Sequence, residues 1–416
     1  MGGKKLLRLM WLSDRMIGGQ SAYSKVTNET CTELAKAGHA VAHTPMGHAN
    51  RMGKNQFQGV LVYPSGDHRF SEDVIIPNSI DWKSDLLITL KEVWNFENFY
   101  KYAVHWAPMI PIDHSPVSTL ITSKLSSAIK PIAISRHAQR ELKSKNIEST
   151  YIPHALYTDR YRPLEGHKKD CKKMFYLDPD EFTVGIVAMN RARKLIPNML
   201  LGYKRFLEIN KDVKSRLMLW SNILPSMTPE DTPMGIADVG VSLIPEIMEL
   251  GLGEAIRWPD QQLIKDGLPE WSGENYKGGW DMVKLYNSFD VLLLCTGGEG
   301  FGLPLIEAQA SGVPVITTDY AAGPEQVGSG LTVKPESYVI LNTPGTRYAV
   351  ASVDGMAEAL TKIMNGDPEK QKARAVKFAE RYSWPNVMEK YWKPFLHEVE
   401  EELKPLVTKK GIRSWS

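Results

Sequence analysis

Cysteine is scarce in this chain of 416 residues, and Cys31, Cys171 and Cys295 stand far apart. That excludes a disulfide framework and a CxxC metal pattern, and it points to a reducing compartment. Charge of one sign is also lacking. The 50 Lys and Arg against 48 Asp and Glu leave a formal +2, so no global field favours nucleic acid and any anion site must be local. No apolar run approaches the ~20 residues of a membrane-spanning helix. The apolar patch near Lys4, Lys5 and Arg8 gives way to Ser13-Asp14-Arg15 too soon for a signal peptide. A soluble, cytoplasmic protein is expected. There is no low-complexity segment, no GxGxxG register fits, and no Walker A sequence occurs.

What is present is enough chain for two hydrophobic cores, since one core stops growing at roughly 250–300 residues. Leu6 to Leu12 reads as a buried strand, followed by a Gly18-Gly19 turn, a helix from Ser21 to Ala37 stopped by Gly38, and a strand beginning at Ala40. Further strands are expected at Val60–Val62, Leu86–Thr89, Tyr102–Trp106 and Pro131–Ile134. Strands alternating with helices predict a parallel sheet covered on both faces. The proline-punctuated stretch from Tyr151 to Leu164 and the charged run to Lys173 read as a linker. A second α/β series begins at Thr183–Ala188, with a helix over Pro197–Ile209, strands at Arg216–Trp220, Asp290–Cys295 and Val313–Thr317, and a helix over Leu303–Ala310. Between Ile223 and Trp280 the periodicity is weak, and one or two helices are expected. After Ser383-Trp384-Pro385, a last helix carries Val387, Tyr391, Trp392, Phe395 and Val399 at helical spacing.

The most informative segment is Gly297-Gly298-Glu299-Gly300-Phe301-Gly302-Leu303-Pro304-Leu305-Ile306-Glu307, which follows a strand and opens a helix. Pro304 suits the first turn and Gly312 the stop. Gly300 and Gly302 remove side chains where backbone N–H groups at a helix start face a ligand, a natural place for a diphosphate or a sugar. Glu299 and Glu307, eight residues apart, can each accept two hydrogen bonds from a vicinal diol. Read alone, the same pattern is also that of an ordinary helix start whose acids complement the dipole. Arg191, Arg193 and Lys194 read alone as a solvated basic cluster.

The span Glu299 to Glu307 resembles the Glu-x7-Glu signature of the retaining family 4 glycosyltransferases. Ala310–Ile316, Gly323-Pro324-Glu325, Gly18-Gly19, Gly38-His39, Ile152-Pro153-His154, Tyr161-Arg162-Pro163, Arg193-Lys194 with Pro197, and Ser383-Trp384 continue the resemblance in order. It implies the GT-B fold, two facing Rossmann-like doubly wound domains. These span 1–160 and 161–384, with a C-terminal helix over 385–416 crossing back to the first domain. The nucleotide sugar then lies between the domains. Arg193 and Lys194, with Arg191 as the alternative, bind the diphosphate. Backbone N–H groups of Gly300, Phe301 and Gly302, and the helix start at Leu303, meet sugar and phosphate oxygens. Glu307 holds the ribose, Glu299 the donor sugar, and Gly18-Gly19 the diphosphate from the opposite wall. A catalytic-site residue after a first-domain strand falls at Asp113 or His114. Asp113 matches an acidic position of one branch, where Gly commonly follows, so His114 departs from the pattern. So does His154-Ala155-Leu156-Tyr157, where the family has His-Gly-Val-Asp.

The implied reaction transfers a sugar from a UDP-, GDP- or ADP-sugar to a glycan, lipid or small-molecule acceptor, with retention and without a metal or other cofactor. Two other classes share the features: a nucleotide-sugar epimerase of the same fold, and a non-catalytic nucleotide-sugar-binding protein. The spacing of Glu299 and Glu307 favours the transferase. Lys409, Lys410 and Arg413 offer an anionic membrane surface a peripheral contact.

Overall fold

The computed structural model describes residues 6–19, 21–47, 53–102, 105–225, 238–269, 279–341 and 345–408. The chain forms two compact units, one of Met1–Ile112, Val117–Ala155 and Trp384–Ser416, the other of Asp113–Pro116 and Leu156–Ser383. Asp113–Pro116, which the sequence groups with the first domain, therefore packs with the second, and the division falls at Ala155 rather than at 160.

In the first unit β1 (Arg8–Ser13), β2 (Ala40–Pro45), β3 (Asn55–Phe57), β4 (Val60–Val62), β5 (Leu86–Leu90), β6 (Trp106–Ile110), β7 (Ile132–Ala133) and β8 (Thr150–Tyr151) form one sheet of order β3-β4-β2-β1-β5-β6-β7-β8. Only β3 pairs antiparallel. Helix α1 (Ala22–Lys36) starts where the Ser21 hydroxyl accepts the Ser24 N–H at 3.0 Å, an N-cap worth about 1 kcal/mol. The strand expected over Tyr102–Trp106 begins instead at Trp106, after a short 3₁₀ turn at Phe99–Lys101. Tyr102 is exposed whereas Phe99 and Trp106 are buried edge to face, 5.2 Å apart, so the aromatic pattern is one of packing rather than strand alternation.

The final helix is grouped with this unit. It runs from Trp384 through a π turn at Met388–Trp392 and on to Thr408. Trp392 packs 6.3 Å from Trp11, and the Trp384 indole N–H donates to Glu29 Oε2 at 2.9 Å. Lys130 pairs with Glu398 at 2.6 Å and Glu402 at 2.9 Å. Lys409, Lys410 and Arg413 lie outside the described residues. Among the described residues no helix is long and apolar enough to cross a membrane.

Two buried histidines of this unit set its response to acid. Burial pushes the imidazole of His43 down to about 4 against the pull of the Trp11 carbonyl and Asp14, and that of His154 down to about 3. An unfolded histidine titrates near 6.5. The unfolded chain therefore binds more protons below that pH, and stability is full above pH ~6.5 and drains as pH falls towards 4. Each group removes about 2 kcal/mol between pH 7.5 and 5. Urea unfolding at these two pH values should show a clear fall in midpoint. A flat profile would mean that neither ring is buried neutral.

The second unit is built on β9 (Phe182–Val187), β10 (Ser215–Trp220), β11 (Ile256–Arg257), β12 (Val291–Leu294), β13 (Val315–Thr318) and β14 (Gly330–Val333), all parallel, in the order β11-β10-β9-β12-β13-β14. Strands β9 and β12 are buried almost throughout, as parallel strands covered on both faces should be. Helix α2 (Ile196–Ile209) follows β9 and α3 (Leu303–Ala310) follows β12. The stretch of weak periodicity holds helices at Leu243–Glu249 and Gln261–Asp266 as well as β11, while 226–237 and 270–278 lie outside the described residues. An antiparallel hairpin of β15 (Pro335–Ile340) and β16 (Arg347–Ala351) follows β14, an element the sequence did not lead us to expect.

Candidate active site

From β9 the second sheet runs to β10 on one side and to β12 on the other. The loops leaving the carboxyl ends of two such strands separate and leave a crevice, the place where open α/β sheets bind ligands. Here those loops are Asn190–Leu195 and Thr296–Gly302. They are joined at the base, where the Gly297 N–H donates to the Arg193 carbonyl at 2.8 Å.

This junction brings four of the predicted site residues together. Lys194 Nζ lies 2.5 Å from Glu299 Oε1, which also accepts the Thr296 hydroxyl at 3.0 Å. Arg193 reaches Asp113 Oδ2 at 3.6 Å through Nη1. Its Nε and backbone N–H both donate to Asp238, at 3.2 and 3.0 Å. Two cations thus face three carboxylates in a partly buried setting. Burial lowers the Lys194 ammonium despite Glu299 beside it. Burial acts on Arg193 in the same direction, but Asp113, Asp238 and Glu299 outweigh it and hold the guanidinium charged. For Asp113 burial pushes the carboxyl up, yet the hydrogen bond of His114 and the charges of Arg193, His114 and Lys194 hold it below its ordinary range.

His114 is wholly buried, with Nδ1 2.9 Å from Asp113 Oδ1. It is placed to orient Asp113, while the carboxylate is the group turned toward Arg193. Arg191 is half-buried and its carbonyl accepts the Lys194 N–H at 2.9 Å. Glu307, inside α3, accepts the Tyr286 hydroxyl at 2.7 Å. Burial, and then the Glu307 charge, push that phenol up. Leu303 is the first residue of α3, and the Phe301 ring is buried against Tyr382, centroids 5.5 Å apart. Gly18 and Gly19 lie in the first unit. Gly18 has φ +63°, and a Cβ at Gly19 would sit 2.5 Å from the Arg15 carbonyl oxygen, so both serve their own turn.

Three glycines of this loop have structural reasons of their own. Gly302 is a left-handed N-cap, φ +93°, which favours glycine whatever lies opposite. At Gly298 a Cβ would stand 1.9 Å from the Asp113 carbonyl oxygen, and at Gly297 2.9 Å from Tyr348 Cβ. These two glycines admit other parts of the same chain.

Asp238, Tyr320 and Tyr348 escaped the sequence reading. Tyr348, on β16, is buried, and burial followed by Asp113 pushes its phenol up. Asp238 stands 45 residues from the arginine it holds, in a stretch with no readable period.

Residues 275–381 match the family model described as glycosyl transferases group 1. The D-inositol 3-phosphate glycosyltransferase of Actinosynnema mirum is 24% identical over 240 residues, 57% of this chain and 49% of that one. The chain thus spans about half the length of that curated relative. Among solved structures, sucrose-phosphate synthase from Thermosynechococcus elongatus aligns with TM-score 0.70 at 15% identity, covering 96% of this chain and all of the other. Anabaena Alr3699/HepE in complex with UDP-glucose aligns with TM-score 0.63 at 12% identity, covering 96% and 100%. The fold is therefore GT-B, and the segment with Glu299, Glu307 and Gly323-Pro324-Glu325 is the part of the chain that matches the group 1 glycosyl transferases.

Proposed function

We propose that the protein transfers a sugar, with retention of anomeric configuration, from a nucleoside-diphosphate sugar to a glycan, lipid or small-molecule acceptor. The observation that carries this reading is the cluster of Arg193, Lys194, Glu299 and Asp113 at the switch point. Solved neighbours bound to UDP and to UDP-glucose support the donor class. As the bond from the anomeric carbon to the diphosphate breaks, negative charge builds on the leaving oxygen. Arg193 supplies a planar fork, Lys194 a point charge and the start of α3 its dipole, all fixed before the reaction. No metal is needed for that step. Glu299, held by Thr296 and Lys194, positions the sugar by accepting its hydroxyls. The acceptor oxygen attacks from the face the diphosphate leaves, its proton passing to a phosphate oxygen. Asp113, oriented by His114, supplies a carboxylate near the developing positive charge.

A thermal-shift panel of UDP, GDP, ADP and their sugars tests the reading, because a ligand at a hundred times its Kd stabilises by about 2.7 kcal/mol. One nucleotide should raise Tm by several degrees. The matching sugar donor should release nucleoside diphosphate when an acceptor is present, at a rate unchanged by EDTA. If no nucleotide stabilises the protein, the reading is wrong. If release stops in EDTA, the metal-free step is wrong.

A further inference from the structure

Residues 113–116 leave the end of a first-unit strand yet pack as part of the second unit. One side-chain group ties this loop on both sides of a peptide. The Tyr320 hydroxyl, just beyond β13, accepts the Ser115 N–H at 2.8 Å. For its own proton it has two carbonyls, Arg347 at 2.7 Å and Ser115 at 3.1 Å. It therefore joins three segments: its own loop, the loop carrying Asp113, and strand β16 of the hairpin.

The hairpin is in turn fixed to the glycine loop. The Ala349 N–H donates to the Gly297 carbonyl at 2.8 Å, and buried Tyr348 packs against Gly297 where any other residue would collide. On the far side, the Asp113 carbonyl rests against Gly298. Asp113 is thus gripped on its backbone by Gly298 and two residues on by Tyr320, which leaves its carboxylate aimed at Arg193.

We propose that Tyr320 is a positioning residue for sugar transfer, its hydroxyl bracing the 113–116 loop against the β15–β16 hairpin so that Asp113 stays at the Arg193 cluster. The proposal rests on the transferase reading above. Tyr320 does not touch the donor; it acts through Asp113. Reacting groups displaced by about 1 Å lose roughly a hundredfold in rate, so one lost brace should cost between ten- and a hundredfold.

The test is Tyr320→Phe, which removes one oxygen and keeps the ring that packs on Tyr338 at 5.7 Å. Three readings are taken on the full chain. Hydrogen exchange of the peptide covering 113–116 should accelerate about tenfold or more, because the Ser115 N–H loses its acceptor. The kcat for transfer should fall at least tenfold, while the Kd of the nucleoside diphosphate stays within about twofold. The acid limb of the pH–rate profile should move up, because Asp113 drifts from Arg193 and Lys194 while keeping His114 and Tyr348 as neighbours. Unchanged exchange overturns the brace whatever the activity. Faster exchange with wild-type kcat overturns the positioning role and leaves the transferase reading intact. A wild-type protein that binds no nucleotide and transfers no sugar overturns both.

Discussion

Replacing Arg193 with alanine should lower sugar transfer by roughly 100- to 1,000-fold, the usual cost of removing one preorganised donor from developing negative charge. Arg193 is more than a surface cation. Its backbone N–H and Nε are committed to Asp238, and its Nη1 side faces Asp113 and the Gly298 carbonyl. The guanidinium is anchored through Nε and Nη1, and about a quarter of the side chain, 24%, stays exposed. Lysine cannot reproduce both anchors with a single ammonium, so Arg193→Lys should recover less than a tenth of the lost rate. Alanine also leaves Asp113 and Asp238 without their cation, and part-buried carboxylates so stranded destabilise the fold by about 1–3 kcal/mol. The two effects separate in the double variant Arg193→Ala, Asp238→Asn, which should regain Tm but not activity. Steady-state rates and thermal melts on both variants provide the check. A wild-type rate in Arg193→Ala would remove the guanidinium from the mechanism.

Much of this site can be read in the sequence because its parts are local. A buried strand, a glycine-rich turn, Pro304 in a first helical turn and Gly312 beyond the last follow from backbone rules that act over a few residues. Arg193 and Lys194 become legible once the turn after β9 is recognised, since the loop after the neighbouring strand β12 must lie beside it. What stays hidden comes from distance along the chain. Tyr320 bonds a residue 205 positions away, and nothing near it marks the hydroxyl as structural. The hairpin is hidden for another reason. Strand β15 is mostly exposed, so it lacks the alternation by which a half-buried strand announces itself. Gly297 and Gly298 are hidden in a third way: nothing local to them shows that Tyr348 and Asp113, far along the chain, take the space that a side chain there would fill.

That close approach makes Gly298→Ala severe for a change of one methyl group. A Cβ there would stand 1.9 Å from the Asp113 carbonyl oxygen, and both are backbone-fixed, so no rotamer change relieves the clash. Either the Thr296–Gly302 loop or the 113–116 loop has to move. The first is tied to Arg193 through Gly297 and to β13 by the Thr318 hydroxyl on the Thr296 carbonyl at 2.6 Å. The second is tied by Tyr320. A shift of about 1 Å in either separates Asp113 from Arg193 and costs roughly a hundredfold in transfer rate, with about 1–3 kcal/mol of stability lost to overpacking. Gly279→Ala is the matched control, because among the described residues a Cβ there meets no atom within 4 Å, and it should transfer at the wild-type rate. The decisive comparison is kcat for the two alanine variants beside their affinity for the nucleoside diphosphate. With the 113–116 loop yielding, Gly298→Ala should lose far more in kcat than in affinity, since Lys194 and the start of α3 then stay in place to hold the diphosphate. Equal losses in both would mean that the clash is absorbed at the phosphate side, and Asp113 would not be the group that the glycine makes room for.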